Sequence, residues 1–168
     1  ELSKEGMQVM FLTPKDGIIL QVGDSCEVQV KQQEATSVTL YKNDEQVATT
    51  SETTLNYTFE AMVAEDVVFK AVATDGSQSV EKSISIAVLG ATEQATRPAG
   101  AEDGVTVEGA DATFVLYAPG KQSVVLLGDF NDYKPSNDYL MKRDGDYFWT
   151  TVTGLEANTE YGYQFLVD

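Results

Sequence analysis

The sequence predicts an all-β chain folded as two β-sandwiches in tandem, and three observations carry that expectation. No stretch of the 168 residues holds apolar positions at helical spacing for three turns. Short runs that alternate apolar and polar residues recur instead, each closed by Gly, Pro, Asn or Asp. The alternation lapses between residues 90 and 104, where Ala, Thr, Glu, Gln, Gly and Pro dominate, and resumes beyond. The expected organisation is a first sandwich over 1–90, a linker over 91–103 and a second sandwich over 104–168. A hydrophobic fraction of 42% is enough to pack a core in each.

In the first domain the expected strands are 7–12, 18–20, 25–30, 37–42, 46–50, 54–59, 67–74 and 77–88. Pro14-Lys15-Asp16-Gly17 and Gly23-Asp24 supply turns, Asn43-Asp44-Glu45 the bend of a hairpin, and Asp75-Gly76 a tight one. That spacing is the pattern of an immunoglobulin-like sandwich. Cys26 alternates with Val28 and Val30 and has no second cysteine to pair with, so it is expected as a buried free thiol and the core must rest on apolar packing. Glu60, Glu65 and Asp66 crowd one turn but lack the dense oxygen set of a calcium loop. No metal and no cofactor is expected.

The linker holds Arg97-Pro98-Ala99-Gly100, which resists helix and central strand alike. It reads as a short extended connector, or else as an irregular edge segment packed on one sandwich.

In the second domain alternation separates two faces. Val115, Tyr117, Val125, Leu127, Tyr147, Trp149 and Leu166 fall on the outer face, where a solvated sheet would show Lys, Thr or Glu. An apolar set of that size marks a contact surface, so Trp149, Tyr147, Tyr117, Val125 and Leu127 are expected to meet the first domain or a further catalytic domain, unless loops of the same domain cover them.

Composition limits the partners. The formal net charge is −16, from 11 Lys plus Arg against 27 Asp plus Glu with no His, which excludes the clustered cations that nucleic acid or an anionic membrane would need. An uncharged partner fits better. No window reaches about 18 consecutive apolar residues, so no membrane insertion is expected. The opening Glu1-Leu2-Ser3-Lys4 is no signal peptide, leaving a cytosolic protein or one whose signal was removed.

Four pieces of the second domain, in order, resemble a known family: Thr113-Phe114-Val115-Leu116-Tyr117-Ala118-Pro119, then Leu127-Gly128-Asp129-Phe130-Asn131-Asp132-Tyr133, then Gly154-Leu155, then Tyr161-Gly162-Tyr163-Gln164-Phe165-Leu166-Val167-Asp168. The family is the early-set β-sandwich that precedes the catalytic barrel of α-amylase-type enzymes, also called carbohydrate-binding module family 48. The resemblance implies an inward set of Phe114, Leu116, Ala118, Val124, Leu126, Phe130, Phe148, Val152, Tyr163, Phe165 and Val167. It also implies sugar contacts at Tyr133, Asn131 and Gln164. Sugar-binding members carry a tryptophan where Tyr133 stands and a lysine where Gln164 stands. A further tryptophan and strand lie beyond the terminal Val-Asp, so the module is expected to be weakened as a binder and incomplete at its C-terminal end. In the first domain, Ser37-Val38-Thr39-Leu40-Tyr41-Lys42-Asn43 and 69–76 are similar to bacterial immunoglobulin-like domains of secreted enzymes and adhesins, where they act as spacers.

No catalysis is expected from the chain itself. Glycoside hydrolysis needs paired carboxylates about 5 Å apart in a cleft, whereas Asp129 and Asp132 read as turn residues. Without histidine neither a Ser-His-Asp nor a Cys-His arrangement exists, and neither half is long enough for a barrel of about 250 residues. The expectation is a non-catalytic N-terminal region of a secreted α-amylase-like hydrolase acting on starch or related α-glucans. Its partners would be its own downstream catalytic domain and possible α-glucan. A cell-surface adhesion or scaffold segment binding protein through the apolar face is the competing reading, and an attached esterase a third.

Overall fold

A computed structural model describes residues 6–168; the opening Glu1-Leu2-Ser3-Lys4, on which the signal-peptide reading rests, lies outside the described residues. Among these residues the secondary structure is fourteen strands and two single turns of 3-10 helix, and no helix is long and apolar enough to cross a membrane. The chain divides into two compact units, Glu1–Gly90 and Ala91–Asp168.

The first unit comprises β1 (Gln8–Thr13), β2 (Ile18–Gln21), β3 (Ser25–Gln33), β4 (Ser37–Lys42), β5 (Glu45–Thr50), β6 (Thr54–Glu60), β7 (Glu65–Thr74) and β8 (Ser79–Leu89). They form sheets of order β1-β3-β6 and β2-β8-β7-β4-β5, antiparallel throughout except for the parallel pair β2 and β8. Alternation does the sorting: Val28 and Val30 from β3 with Leu55 and Phe59 from β6 bury against Val38 and Leu40 from β4 and Val67, Phe69, Ala71 and Ala73 from β7. Phe69 is fully enclosed and takes an edge-on contact from Phe59 at 5.3 Å between centroids. Cys26 is half-buried opposite Phe59, and burial, with the neighbouring Glu27 adding, pushes its thiol up from the ordinary value.

Two turns show why the strands end where they do. Asn43 and Asp44 adopt φ of 47° and 69°, the left-handed pair that a two-residue hairpin between twisted strands requires. The Asn43 side chain also accepts the Val68 N–H at 2.8 Å. Asp75 accepts the backbone N–H groups of Ser77 (2.9 Å) and Gln78 (2.8 Å) through one carboxylate oxygen. That wider cap delays β8 to Ser79, two residues beyond the expected start. Of the acids around the 60–66 turn, Glu65 meets the Lys42 ammonium at 2.6 Å. No group of three or more His, Cys, Asp or Glu among the described residues is placed to hold a metal.

The second unit comprises β9 (Gly104–Glu108), β10 (Asp111–Tyr117), β11 (Val124–Gly128), β12 (Lys142–Asp144), β13 (Tyr147–Val152) and β14 (Tyr163–Val167). Its sheets are β12-β13-β10-β9 and the two-stranded β11-β14. Between them lie Ala112, Phe114, Ala118, Val124, Leu126, Phe148 and Val152, with Leu116, Phe130 and Phe165 partly buried around them. Tyr163 does turn toward the core, with its ring edge-on to Phe114 at 4.9 Å, but it and Val167 are not enclosed, at 43% and 37% exposed. The reason is that β14 pairs only with β11 among the described residues, so its inward side chains sit at the rim. Met141 is fully buried in the same core. It comes from an irregular segment where no alternation announces it, and it is anchored by its N–H donating to the Val124 carbonyl at 2.8 Å.

Residues 91–103 do not behave as a free connector. The Arg143 N–H donates to the Glu93 carbonyl at 2.8 Å and the Ala95 N–H to the Arg143 carbonyl at 3.0 Å, with Gln94 bridged to Arg143 in parallel register. The segment therefore runs beside β12 as part of the second unit, because the edge of β12 offers backbone groups that the Pro98-Ala99-Gly100 bend lies too late to disrupt.

Candidate functional site

The loop that leaves β11 is held by its own polar side chains. Gly128 is extended, at φ −174°, and must be glycine for lack of room: a Cβ there would lie 2.5 Å from the Phe130 ring and 2.8 Å from the Gly162 carbonyl. A single 3-10 turn, Asp129–Asn131, follows. The Asn131 amide accepts the Gly128 N–H at 2.9 Å and donates to the Leu126 carbonyl at 3.0 Å. Asp129 accepts the Gly162 N–H at 2.6 Å, and its own N–H donates to the Gly162 carbonyl at 3.1 Å. Asp129 is thus a clip that ties the loop to the approach of β14, while Asn131 spends both ends of its amide on the backbone of β11.

Asp132 and Tyr133 both stand at φ 54°. For a bulky aromatic this left-handed backbone is unfavourable and persists only where surroundings impose it. Here the Tyr133 N–H donates to the Gly128 carbonyl at 3.0 Å, and the phenol oxygen lies where a side chain on Gly162 would have to go. The hydroxyl end of the ring consequently abuts Gly162, and Tyr133 remains 40% exposed. Gln164, two residues on and opposite Leu127 in the ladder, is exposed as well. The loop thereby presents one aromatic face and one neutral amide, a combination suited to the apolar face and hydroxyls of a sugar ring.

The outer face is only in part a surface. The strand phase places Trp149 opposite Phe148 as alternation requires, but Trp149 is 8% exposed because the 93–97 segment covers it: the indole N–H donates to the Ala95 carbonyl at 2.8 Å. Val115, Val125 and Leu127 are buried too. Trp149, Val125 and Leu127 therefore do not form the open contact face that alternation suggested. What stays accessible is Leu166 on β14, 41% exposed, and, on the other sheet, Tyr117, 53% exposed, beside a half-buried Tyr147 at 5.2 Å between ring centroids. Arg97 and Asp144 complete that corner, with the guanidinium 4.1 Å from the Tyr147 ring centre and 3.5 Å from the carboxylate. Sequence reasoning missed both, because Arg97 sits in a segment read as connector and Asp144 is 47 positions away from it.

The second unit is thus a four-stranded and a two-stranded sheet with an exposed tyrosine on the loop that leaves β11. Residues 101–167 match the family model of carbohydrate-binding module 48, described as the isoamylase N-terminal domain. No curated protein matches the chain. Among solved structures it is similar to the fibronectin(III)-like modules of CbhA from Clostridium thermocellum, at 16% identity and TM-score 0.42 over 48% of this chain and 95% of that one. It is similar as well to an endo-β-1,4-mannanase from Thermotoga petrophila, at 12% identity and TM-score 0.41 over 51% of this chain and 20% of that one. A third similarity is to a Bacteroides uniformis β-glucuronidase, at 6% identity and TM-score 0.41 over 96% of this chain and 30% of that one. The chain thus spans less than a third of either enzyme.

Proposed function

We propose that this chain is a non-catalytic accessory region of a secreted α-amylase-like glycoside hydrolase, in which the second unit supports a catalytic domain and touches α-glucan weakly. The observation that carries the reading is the family match over 101–167 together with the loop that this match contains, which holds Tyr133 exposed against Gly162. A lone stacking ring with a neutral amide beside it supplies little free energy, since small ligands need several fixed contacts in a concave site. The substrate class, starch or a related α-glucan, follows from the resemblance to amylase-type enzymes. So do the downstream catalytic partner and an extracellular or periplasmic location.

The competing adhesion reading loses its main support, because four of the outer-face apolar residues are covered by the second unit's own fold or buried beside it. Calorimetric titration with maltoheptaose tests the proposal. Binding weaker than about 10 μM that Tyr133→Ala diminishes is the expected result; tight binding makes the module a working starch binder in its own right. Released reducing sugar in the same samples would contradict the non-catalytic assignment.

A further inference from the structure

We infer that the second unit carries another saccharide platform, on the outer face of its four-stranded sheet, built from Tyr117, Tyr147, Asp144 and Arg97. The inference rests on the carbohydrate-binding reading of this unit but concerns residues outside the Tyr133 loop, on a different sheet.

The register places three of the four in one row. Tyr117 on β10 lies directly opposite Tyr147 on β13, and Tyr147 directly opposite Asp144 on β12, so all three side chains leave the same face of adjacent strands. Arg97 closes the row from the segment packed beside β12: its backbone N–H donates to Asp144 Oδ2 at 3.3 Å, and its side chain Nε approaches the same oxygen at 3.5 Å. The Tyr147 ring is therefore held between a guanidinium at 4.1 Å and the Tyr117 ring, tilted by 53°. The row is ordered before any ligand arrives, which lowers the cost of binding.

The chemistry selects the ligand. Tyr117 offers an exposed ring face for the C–H side of a pyranose. The Arg97 guanidinium has N–H groups to donate and the Asp144 carboxylate a second oxygen to accept, which together suit vicinal hydroxyls. Both side chains are about a third accessible, at 30% and 32%, so they reach a ligand without being free to collapse onto it. The cation and anion offset each other, and the chain bears a net −16, which disfavours an anionic ligand. A protein partner is disfavoured for a different reason: Val115, Val125, Leu127 and Trp149 are already buried, leaving too little contiguous apolar area for a stable interface. A neutral glycan is the remaining class.

Amide chemical-shift titration of the full 168-residue chain with maltoheptaose, cellohexaose and xylohexaose tests this. At least one of the three should perturb amides around 117, 144 and 147, and Tyr117→Ala should weaken that response about fivefold or more, the loss of one stacked contact. It should leave perturbations around 128–133 and 162–164 unchanged. Arg97→Lys should weaken it too, since lysine keeps the charge but not the planar donor pair. Trp149 fluorescence verifies that each variant is folded. Perturbations confined to the Tyr133 loop, indifferent to Tyr117→Ala, would overturn this platform and leave the accessory-module function standing. No perturbation by any of the three glycans would overturn both.

Discussion

The two units solve the same packing problem with different completeness. In the first, a three-stranded and a five-stranded sheet face each other, and fifteen buried side chains close the space between them. In the second, a four-stranded sheet faces only two strands, eight side chains form the core, and Tyr163, Val167 and Val107 are left exposed at the rim, the last at 70%. The large apolar side chains that the first unit leaves exposed, Leu12, Val22, Met62, Val63 and Val68, include no aromatic. The second keeps aromatic side chains at its surface, fixed by polar clips, and that surface is where ligand contact is to be sought.

The largest expected effect sets the two cores against each other. Phe69→Ala should cost the first unit about 3–5 kcal/mol, because a fully enclosed ring with edge contacts leaves a cavity that rigid neighbours cannot fill. Phe165→Ala, at a half-buried position of β14, should cost the second unit only about 1–2 kcal/mol. Urea unfolding separates them cleanly, since the single tryptophan belongs to the second unit and far-UV circular dichroism reports both. Equal losses at the two positions would mean that the rim of the second unit is packed as tightly as the centre of the first.

Next comes the loop that presents Tyr133. Gly128→Ala drives a methyl group into the Phe130 ring and the Gly162 carbonyl, so a loss of about 1–3 kcal/mol is expected, with the loop displaced. Gly162→Ala meets only the Tyr133 phenol and the Asp129 carboxylate. It should move the ring rather than unfold the unit, lowering glucan response at small cost in stability. If thermal denaturation ranks the two in the opposite order, the clip between Asp129 and Gly162 is not what organises the loop.

A smaller effect is expected where the 91–103 segment meets β13. Trp149→Phe keeps most of the apolar contact but removes the indole N–H that donates to Ala95, a loss of about 1 kcal/mol. Hydrogen exchange should quicken at Ala95 and Arg143, whose N–H groups hold the segment against β12. Unchanged exchange there would show that the backbone pairing alone secures the segment.

The smallest effect concerns the β7 to β8 turn. Hydrogen bonds from the Gln78 and then the Ser77 backbone lower the Asp75 carboxyl below its ordinary range. A depressed folded-state value contributes stability that is present above the unfolded value and is lost as the pH falls through the folded one. Acid titration followed by the Ser77 and Gln78 amide shifts should show the cap releasing below the usual aspartate range, and Asp75→Ala should abolish that transition. At neutral pH, Cys26 should react slowly with thiol reagents, since burial keeps it protonated.

Much of this was readable in the residues alone. Period-two alternation separated Phe148 from Trp149 and Val124 from Val125, because successive side chains on a strand must leave opposite faces; the all-β class and the Asn43-Asp44 bend followed from equally local rules. The order of the motifs around Leu127–Tyr133 points to the same family whose model matches residues 101–167. What alternation cannot say is which face another part of the chain will cover. Alternation gives Trp149 its face but leaves open whether a partner or the same domain covers it, since the segment that buries it lies 54 positions earlier and has no periodicity of its own. Met141, Arg97 and Asp144 escaped for the same reason: their roles depend on backbone hydrogen bonds and charge contacts between segments far apart in sequence. Only the folded chain brings such segments together, and that decided which aromatic side chains remained free to meet a ligand.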